Sequence, residues 1–428
     1  MLLKKTKIAI AGVGTVGSGV IELIKKNSIL KRFDIEITAI ASRRKQKKTD
    51  LGSNSINFFN DAERLIDFNN YDILVELIGG DEGISKKIVF DALKKGKNVV
   101  TANKALVSKH WRKLNELTQG KRNEIKYEAA VAGGIPIIKV LNDFLISNKI
   151  KKIYGILNGT SNFILTNMLN SNSKFEKILE KAQEFGYAEA DPSFDIDGVD
   201  TSHKLAILSS LAFNINCDLK SIYVEGIRNI DLTDLLYANE LGYKVKLLGI
   251  AQIRKKKLIN FVYPCLVDHN ELISKVDGVF NGIVIESDFC KKSFFQGEGA
   301  GSQPTATSVL SDIIDFSIKE CKEKSKPKTQ IVKNINILDR SGSFYLRFTT
   351  TDQPGVISGI TNEFKKNSIS MKSMLQKDVV SSKEKKCATI VVTTHNCNEK
   401  DMMKALKKIN NLSFVLKKTT FMRIENFK

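Results

Sequence analysis

Lys7-Ile-Ala-Ile-Ala-Gly-Val-Gly-Thr-Val-Gly17 is the stretch that decides the fold of the first part of the chain. Its apolar start is typical of a short buried strand, and a helical pattern follows its end. The glycines have Gly-x-Gly-x-x-Gly spacing, which permits a tight turn and a close approach of the backbone to a pyrophosphate. The stretch therefore predicts a dinucleotide site at the start of a helix. The residues expected to contact the dinucleotide there are Gly12, Val13, Gly14, Thr15, Val16 and Gly17.

Strand and helix patterns alternate after this stretch. Apolar runs at 35–41, 72–78 and 98–101 predict strands, and residues 84–95 predict a helix. Alternation of this kind is typical of a parallel sheet with helices on both faces. We therefore predict an α/β protein whose residues 1–135 form a Rossmann-type, doubly wound NAD(P)-binding domain.

The end of the second predicted strand bears on which nicotinamide is bound. An acidic residue there would bind the ribose 2′-hydroxyl of NAD, but this strand is followed by Ser42, Arg43 and Arg44 without a carboxylate. Since arginine pairs well with phosphate, NADP(H) is favoured and Arg43 is the expected contact. Two alternatives stay open: NAD(H) as the cofactor, and a solvated loop in which these arginines bind nothing.

The remaining chain predicts two further domains joined by a linker. Helical and strand-like runs are mixed over 136–321, which indicates an α+β unit that we expect to be the catalytic and dimerisation domain. Residues 322–340 begin with a lysine-rich run that contains Pro327, and they predict a linker. From 341 to 428 the pattern is strand, helix, strand, strand, helix, strand, which is the ferredoxin-like βαββαβ plan.

Composition argues against several classes of protein. No run of about 18 apolar residues is present, so neither a membrane span nor a membrane partner is expected. The six cysteines are scattered without CxxC or zinc spacing, which predicts free thiols in a reducing, cytoplasmic compartment. The formal net charge of +20 is spread along the chain as lysine, so we interpret it as compositional and predict no nucleic-acid partner.

A carboxylate-rich segment lies in the middle domain, where five Asp or Glu residues occur from Glu189 to Asp200. A helical pattern begins near Asp200, so Asp200 and Lys204 are four residues apart on one helix face. Two interpretations stay open on spacing alone. One is an ordinary ion pair on a solvated helix. The other is an active-site pair in which an ammonium group exchanges the proton that accompanies a hydride.

Five longer segments are more specific than these spacings. They are Tyr127-Glu-Ala-Ala-Val-Ala-Gly-Gly-Ile-Pro-Ile-Ile138, Asn158-Gly-Thr-Ser-Asn-Phe-Ile-Leu165, Gly186-Tyr-Ala-Glu-Ala-Asp-Pro192, Asp195-Ile-Asp-Gly-Val-Asp200 with Lys204, and Gly297-Glu-Gly-Ala-Gly-Ser-Gln-Pro-Thr-Ala306. In order and spacing they resemble the signature segments of homoserine dehydrogenase, over about residues 5–320. The resemblance implies reversible NAD(P)H-dependent reduction of L-aspartate 4-semialdehyde to L-homoserine, in threonine, methionine and isoleucine biosynthesis. Those two amino acids are then the small-molecule partners.

The resemblance also implies roles for individual residues. Lys204, Asp200 and Lys104 are the expected catalytic residues, and which lysine donates and accepts the proton stays open. Glu189 and Asp195, with the same two lysines, are expected to bind the amino acid. Backbone N–H groups of 158–161 are expected to hold its carboxylate. Further expected contacts are Gly79, Thr101, Lys104 and Gly301 for the cofactor, and Glu128, Val131, Gly133 and Ile135 for a monovalent cation, Na⁺ or K⁺.

The C-terminal segment resembles an ACT domain. Phe344-Tyr-Leu-Arg-Phe-Thr-Thr-Thr-Asp-Gln-Pro-Gly-Val-Ile357 carries the strand–Asp-x-Pro-Gly–helix signature, and Ile369-Ser-Met-Lys-Ser-Met-Leu-Gln376 fits the next strand. The resemblance implies an amino-acid effector, L-threonine acting by feedback, bound at the turn that contains Asp352 and Gly355. The alternatives are a module that only assembles a homodimer or homotetramer, and a sensor that has lost its ligand.

Two other classes of protein share some of these features. A nucleotide-binding, amino-acid-sensing regulator without catalysis would not need Lys104, Glu189, Asp200 and Lys204 together. A semialdehyde dehydrogenase that works through a thioester would need a nucleophilic cysteine, and Cys217 has no suited partner in the sequence.

Overall fold

The computed structural model describes residues 5–26, 28–43, 56–318, 332–378 and 387–427. The first part of the chain forms a parallel six-stranded sheet in the order β3-β2-β1-β4-β5-β6. Its strands are β1 (Thr6–Ala11), β2 (Ile35–Ala41), β3 (Asn57–Phe59), β4 (Ile73–Glu76), β5 (Asn98–Thr101) and β6 (Ile125–Lys126). Its helices are α1 (Thr15–Lys26), α2 (Arg64–Phe68), α3 (Ile84–Lys94), α4 (Lys104–Lys109) and α5 (Trp111–Thr118).

The central strand of this sheet is buried on both faces. In β1, Ala9 and Ala11 pack into one apolar cluster, while Ile8 and Ile10 pack into another on the opposite face. Successive side chains of a strand point to opposite faces, so a strand between two helical layers must be apolar throughout. The predicted Rossmann-like parallel sheet is confirmed. Helix α1 begins at Thr15, although the sequence pattern predicted a helix only after Gly17, because the last glycine of the turn belongs to the first turn of the helix.

The second part is a mixed sheet with helices. Its strands are β7 (Ile150–Ile156), β8 (Tyr223–Val224), β9 (Tyr243–Arg254), β10 (Lys257–Asp268), β11 (Phe280–Ser287) and β12 (Lys292–Glu298). Its helices are α6 (Ile137–Lys139), α7 (Gly159–Asn170), α8 (Phe175–Glu184), α9 (Ser193–Ile196), α10 (Val199–Phe213), α11 (Leu232–Glu240) and α12 (Ser302–Ile318). Helix α12 returns to the first domain, where the Ser302 hydroxyl donates to the Thr15 carbonyl oxygen at 2.8 Å.

The last part has the βαββαβ order. It consists of β13 (Lys333–Asn334), β14 (Ser341–Thr351), α13 (Val356–Lys366), β15 (Met371–Asp378), β16 (Cys387–Thr394), β17 (Cys397–Asn398), α14 (Glu399–Ile409) and β18 (Val415–Glu425). The four long strands lie antiparallel in the order β18-β14-β16-β15. Strand β18 also pairs in parallel with β10, so the C-terminal sheet continues the middle sheet.

The predicted linker is partly built into the fold. Residues 319–331 lie outside the described residues, but Lys333 and Asn334 pair with the start of β10. Ile335 and Ile337 then pack on the apolar cluster of the middle domain. The second half of the stretch predicted as a linker is therefore attached to the middle sheet. Within the described ranges, no helix combines the length and apolar character that crossing a bilayer requires.

Candidate active site

The glycine turn lies at the carboxyl edge of the parallel sheet. Gly12 has φ +99°, and a Cβ there would lie 2.8 Å from the backbone of Leu77, which follows the adjacent strand. A Cβ on Gly17 would lie 2.3 Å from the Gly12 carbonyl oxygen, so the helix can pack on the turn only with glycine. Gly14, by contrast, is exposed and faces open space. The turn therefore leaves room for a ligand at the N-terminus of α1, where a dinucleotide pyrophosphate binds in such folds.

The Glu76 carboxylate organises the neighbouring strand ends, and sequence reasoning missed it. Its two oxygens accept hydrogen bonds from the backbone of Ile78 and Gly79 and from the hydroxyls of Ser85 and Thr101, at 2.6–3.1 Å. Glu76 is fully buried. The Gly79 turn is exposed beside this hub, as a cofactor contact requires. Since the Thr101 hydroxyl is directed inward to Glu76, any contact of Thr101 with the cofactor has to come from its backbone.

Arg43 is exposed and follows the second strand by two residues, and the last residue of that strand, Ala41, accepts the Gly12 N–H at 3.0 Å. Arg44 and the rest of that basic stretch lie outside the described residues. At the other side of the turn, Gly301 has φ +117° and precedes α12, whose first residue Ser302 contacts Thr15. The structure therefore brings the predicted cofactor residue Gly301 beside the glycine turn.

One buried carboxylate holds the two predicted catalytic lysines. Asp200 is fully buried in the first turn of α10. Its Oδ1 lies 2.5 Å from the Lys104 Nζ, and its Oδ2 accepts a hydrogen bond from the Lys204 Nζ at 2.8 Å. Lys104 is the first residue of α4 and follows β5, so it lies at the same sheet edge as the glycine turn. The interpretation of Asp200 and Lys204 as a pair on a solvated helix is therefore wrong.

The lysines differ in their surroundings. The Lys204 Nζ also donates to the Leu157 carbonyl oxygen at 2.7 Å, and the residue is only 8% exposed. Burial lowers the pKa of Lys204, and the Lys104 charge lowers it further, although Asp200 opposes both. Burial alone would raise the pKa of Asp200, but the two ammonium groups outweigh it and hold that pKa below its usual range. An ammonium has three N–H donors, so Lys204 keeps one for a ligand.

The predicted amino-acid-binding carboxylates lie on the segment before α10. Asp195 is half-buried, and its Oδ1 accepts a hydrogen bond from the Asn158 side-chain amide at 2.8 Å. Burial and the neighbouring Asp200 charge raise the pKa of Asp195. Glu189 is exposed, and within the described residues its carboxylate contacts none of Lys104, Asp200 and Lys204. The structure therefore joins Asp195 to the lysine–aspartate cluster but leaves Glu189 at its rim.

The four residues predicted to hold a monovalent cation lie together between β6 and α6. The Gly133 carbonyl oxygen accepts the Ser308 hydroxyl, and the Glu128 carbonyl oxygen accepts the Val131 N–H at 3.4 Å. A carbonyl oxygen has a second lone pair, so both can still bind a cation. Glu128 lies beside the buried Asp312, whose Oδ2 accepts the Glu128 N–H at 2.8 Å. The two side-chain oxygens of Glu128 accept the backbone N–H groups of Ile138 and Lys139 at 2.8 Å, and Ile135 is the remaining predicted neighbour.

Asp352 and Gly355, the predicted effector residues, lie on the exposed turn between β14 and α13. Gly355 has φ +93° and directly precedes the helix, which explains the glycine. Cys217, considered as a nucleophile, is buried, and burial raises the pKa of its thiol to about 12. A thioester mechanism at Cys217 is therefore not supported.

Comparison with known proteins agrees with this geometry. A family profile described as homoserine dehydrogenase matches residues 136–314, and one described as homoserine dehydrogenase, NAD binding domain, matches residues 12–128. The homoserine dehydrogenase of Neisseria gonorrhoeae is 37% identical over 437 residues, which cover 99% of each chain. A solved structure of a homoserine dehydrogenase from Thiobacillus denitrificans superposes with TM-score 0.88 and 37% identity, covering 99% of each chain. A hyperthermophilic archaeal homoserine dehydrogenase solved in complex with NADPH has TM-score 0.62 and 27% identity, covering 76% of this chain and all of that one.

Proposed function

Because this chain belongs to the homoserine dehydrogenase family, a family of NAD(P)-dependent oxidoreductases, we propose that Lys104, Asp200 and Lys204 carry the interconversion of L-aspartate 4-semialdehyde and L-homoserine. The observation that supports this assignment is the sharing of one buried carboxylate by two lysines at the sheet edge that bears the glycine turn. A bound nicotinamide supplies or accepts the hydride, and the chain has to supply the proton and orient the amino acid.

The exchange of a proton with the substrate oxygen is assigned to Lys204. In the reducing direction its ammonium stabilises the oxygen that becomes an alkoxide and then gives it a proton. In the oxidising direction neutral Lys204 takes the hydroxyl proton of homoserine. A lowered pKa suits this exchange because it makes the neutral amine accessible nearer to physiological pH. Lys104, which also lies 5.3 Å from the Phe194 ring, holds Asp200 from the cofactor side and orients the substrate.

The amino acid is bound by groups of both signs. Asp195 has no cationic partner among the described contacts, so its carboxylate is available to the substrate ammonium. Glu189, on the exposed loop above it, would close over the same ammonium. The backbone N–H groups of Gly159 and Thr160 at the start of α7 are assigned to the substrate carboxylate, because a helix N-terminus favours anions. The Ser161 N–H is instead bonded to the Asn158 Oδ1 at 2.7 Å. The product would enter threonine, methionine and isoleucine biosynthesis.

NADP(H) is the proposed cofactor, with NAD(H) as the alternative. Arg43 is exposed beside the glycine turn and can pair with a ribose 2′-phosphate. Glu128, Val131, Gly133 and Ile135 would hold Na⁺ or K⁺ through backbone oxygens, and no catalytic step depends on that ion. The C-terminal βαββαβ unit is proposed to be an ACT domain that senses L-threonine at the turn with Asp352 and Gly355, and the enzyme to act as a homodimer or homotetramer.

One spectrophotometric assay tests these assignments together. The purified protein is given L-homoserine with NADP or with NAD, with and without L-threonine, and formation of the reduced nicotinamide is followed. Homoserine-dependent reduction, faster with NADP and slowed by threonine, is expected. The Asp352→Asn variant is the matched control for the threonine arm, since its turnover should persist while inhibition weakens. A protein that binds NADPH but never turns over homoserine would support the non-catalytic regulator instead.

A further inference from the structure

We propose that Asn158 is a positioning residue of this reaction, whose side-chain amide holds the Asp195 and Asp200 carboxylates in register with the two lysines. This inference rests on the proposed function and assigns one residue a task within the same site. The amide Nδ2 donates to the Asp195 Oδ1 at 2.8 Å and to the Asp200 Oδ2 at 2.9 Å. One amide group therefore bridges the residue assigned to the substrate ammonium and the residue that holds the lysines.

The orientation of this amide is determined by the helix that follows it. Asn158 caps the N-terminus of α7, where its Oδ1 accepts the Ser161 N–H at 2.7 Å. If the amide were flipped, its oxygen would face two carboxylates and its NH₂ would face an N–H group. Both arrangements are repulsive, so the amide must present its two N–H donors to the two aspartates. The residue is 5% exposed, which leaves little solvent to compete with these bonds.

The start of α7 is held rigidly by the middle sheet. A Cβ on Gly159 would lie 2.5 Å from the Val279 carbonyl oxygen, so the helix start and the 276–280 segment are in close contact. The Asn162 amide donates to the carbonyl oxygens of Val276, Gly278 and Phe280 at 3.0–3.2 Å. Asn158 is therefore placed by contacts that do not involve the substrate, as a pre-organised site requires.

The two carboxylates need such a donor because they repel each other. Asp195 faces the charges of Asp200 and Lys204 from α10 and of Lys104 from α4. Burial and Asp200 raise the pKa of Asp195, whereas the Asn158 hydrogen bond lowers it. Without the amide, Asp195 would take up a proton at higher pH and lose its attraction for an ammonium group. The Asp200 Oδ2 would also keep only Lys204 as a donor, so one of the contacts that fix this carboxylate would be lost.

The test replaces the amide while keeping the helix cap. Serine and aspartate both accept the first-turn N–H of a helix, so Asn158→Ser removes the two donors and Asn158→Asp replaces them with a third carboxylate. Reduction of aspartate semialdehyde is measured from acidic to alkaline pH for the wild type and both variants, because Lys204 must be protonated in this direction and the acidic limb then reports Asp195. NADPH binding, followed by fluorescence, shows that each variant is folded. Asn398→Ser is the matched control, because Asn398 caps α14 and its side chain bridges no carboxylates within the described part of the chain.

We expect Asn158→Ser to lower kcat/KM for aspartate semialdehyde by roughly 10- to 100-fold, as loss of hydrogen bonds to charged groups does. The acidic limb of the pH–rate profile of this variant should move to higher pH by about one unit, and Asn158→Asp should move it further. If Asn158 served only as a helix cap, its replacement would change thermal stability without shifting the pH–rate profile. Asn398→Ser should show this behaviour. If Asn158→Ser does not fold, Asn158→Asp carries the test.

Two outcomes would overturn the proposal. An Asn158→Ser enzyme with an unmoved acidic limb and unchanged kcat/KM would show that the amide positions nothing. A fall in thermal stability alone, without a shift of the limb in either variant, would reduce Asn158 to a helix cap. The wild type is measured in the same assay, so its inactivity would count against the proposed function as well. An active wild type with unaltered variants would count against this inference alone.

Discussion

Two clusters of buried charge in this molecule are built with different cations. In the active site, Lys104 and Lys204 share Asp200. At the junction of β18 with the middle sheet, Arg423 binds two carboxylates, with its guanidinium 2.7 Å from the Glu225 Oε2 and 2.6 Å from the Glu399 Oε1. Both clusters lie in the interior, and their central groups are almost completely buried.

The two clusters differ in whether the cation can still exchange a proton. Burial opposes the charge of Arg423, but its hydrogen bonds and the carboxylates outweigh that effect and raise its pKa, so it stays charged at any physiological pH. The guanidinium also lies 4.5 Å from the Tyr263 ring centroid, which fixes its plane. Lys204 has a lowered pKa and an N–H to spare. Arginine thus joins two parts of the fold permanently, whereas lysine keeps a proton that can be exchanged.

The largest expected effect comes from exchanging the cation of the active site. We expect Lys204→Arg to lower kcat for homoserine oxidation by roughly 10²- to 10⁴-fold, the usual contribution of a positioned acid or base. The charge beside Asp200 is kept, but a guanidinium does not release its proton at any pH that the enzyme tolerates. Initial rates of homoserine oxidation, compared with Lys204→Met, are the measurement.

The control for this exchange is the pH dependence of the wild type in both directions. Oxidation needs the neutral amine, so its rate should rise as pH increases through the lowered pKa of Lys204. Reduction of the aldehyde needs the ammonium and should decline over the same interval. A Lys204→Arg enzyme with ordinary turnover would move the proton-transfer role to Lys104.

An intermediate effect is expected from the arginine cluster. Arg423→Met leaves Glu399, which is 1% exposed, as a buried charge without its main partner, and removing one partner of a buried pair costs about 3–5 kcal/mol. Arg423→Lys keeps the charge but loses the planar, multidentate contact, so its cost should be smaller. Urea unfolding measures both, and kcat per folded molecule should stay near that of the wild type.

The matched control for Arg423 is an ion pair at the surface. Lys26 and Glu22 lie one helical turn apart at 2.6 Å on α1, with 77% and 51% of their side chains exposed. Lys26→Met should change the free energy of unfolding by less than about 1 kcal/mol, because water and salt screen such pairs. Equal effects of Arg423→Met and Lys26→Met would remove the distinction drawn between buried and exposed arrangements.

Sequence reasoning reached the groups that stand in a local pattern and missed those that are assembled at a distance. The glycine turn and the i, i+4 spacing of Asp200 and Lys204 can be recognised from neighbouring residues alone. The Glu76 carboxylate accepts hydrogen bonds from four donors in three separate segments, and the strand pattern around Glu76 does not predict these contacts. The same holds for the link between Arg423 and Glu225, which are 198 residues apart in sequence.

Asn158 is an instructive intermediate case. Asparagine before a helical pattern is a recognisable N-cap signal, so its acceptor role was within reach of the sequence. Its donor role depends on where the Asp195–Asp200 segment folds back against α7, and only tertiary structure determines that. The parallel pairing of β18 with β10 was likewise beyond reach, because strand patterns identify strands and not their partners.

The smallest effect is expected at a third cluster of buried charge, in which carboxylates outnumber the cations near them. Among the described residues, Glu128, Asp312 and Asp315 lie near two lysines: Lys126 is 2.7 Å from Asp315, and Lys139 is 3.0 Å from Asp315 and 4.0 Å from Asp312. Burial raises the pKa of Glu128 to about 7 and that of Asp312 to about 6. The unfolded chain releases these protons nearer pH 4, so the native state loses stability as pH rises from about 4 to about 7.

Asp312→Asn should flatten this dependence, since its amide oxygen can still accept the Glu128 N–H while one buried charge disappears. Above pH 7 the variant is expected to be as stable as the wild type or more stable, by on the order of 1 kcal/mol. Thermal unfolding between pH 5 and 8, in buffers free of Na⁺ and K⁺, measures the difference. Adding K⁺ should then stabilise the wild type more than the variant, because an alkali ion beside Glu128 would supply the positive charge that the lysines do not. An Asp312→Asn protein that is less stable at pH 8 and keeps the wild-type slope would show that Asp312 is already compensated, as Glu399 is by Arg423.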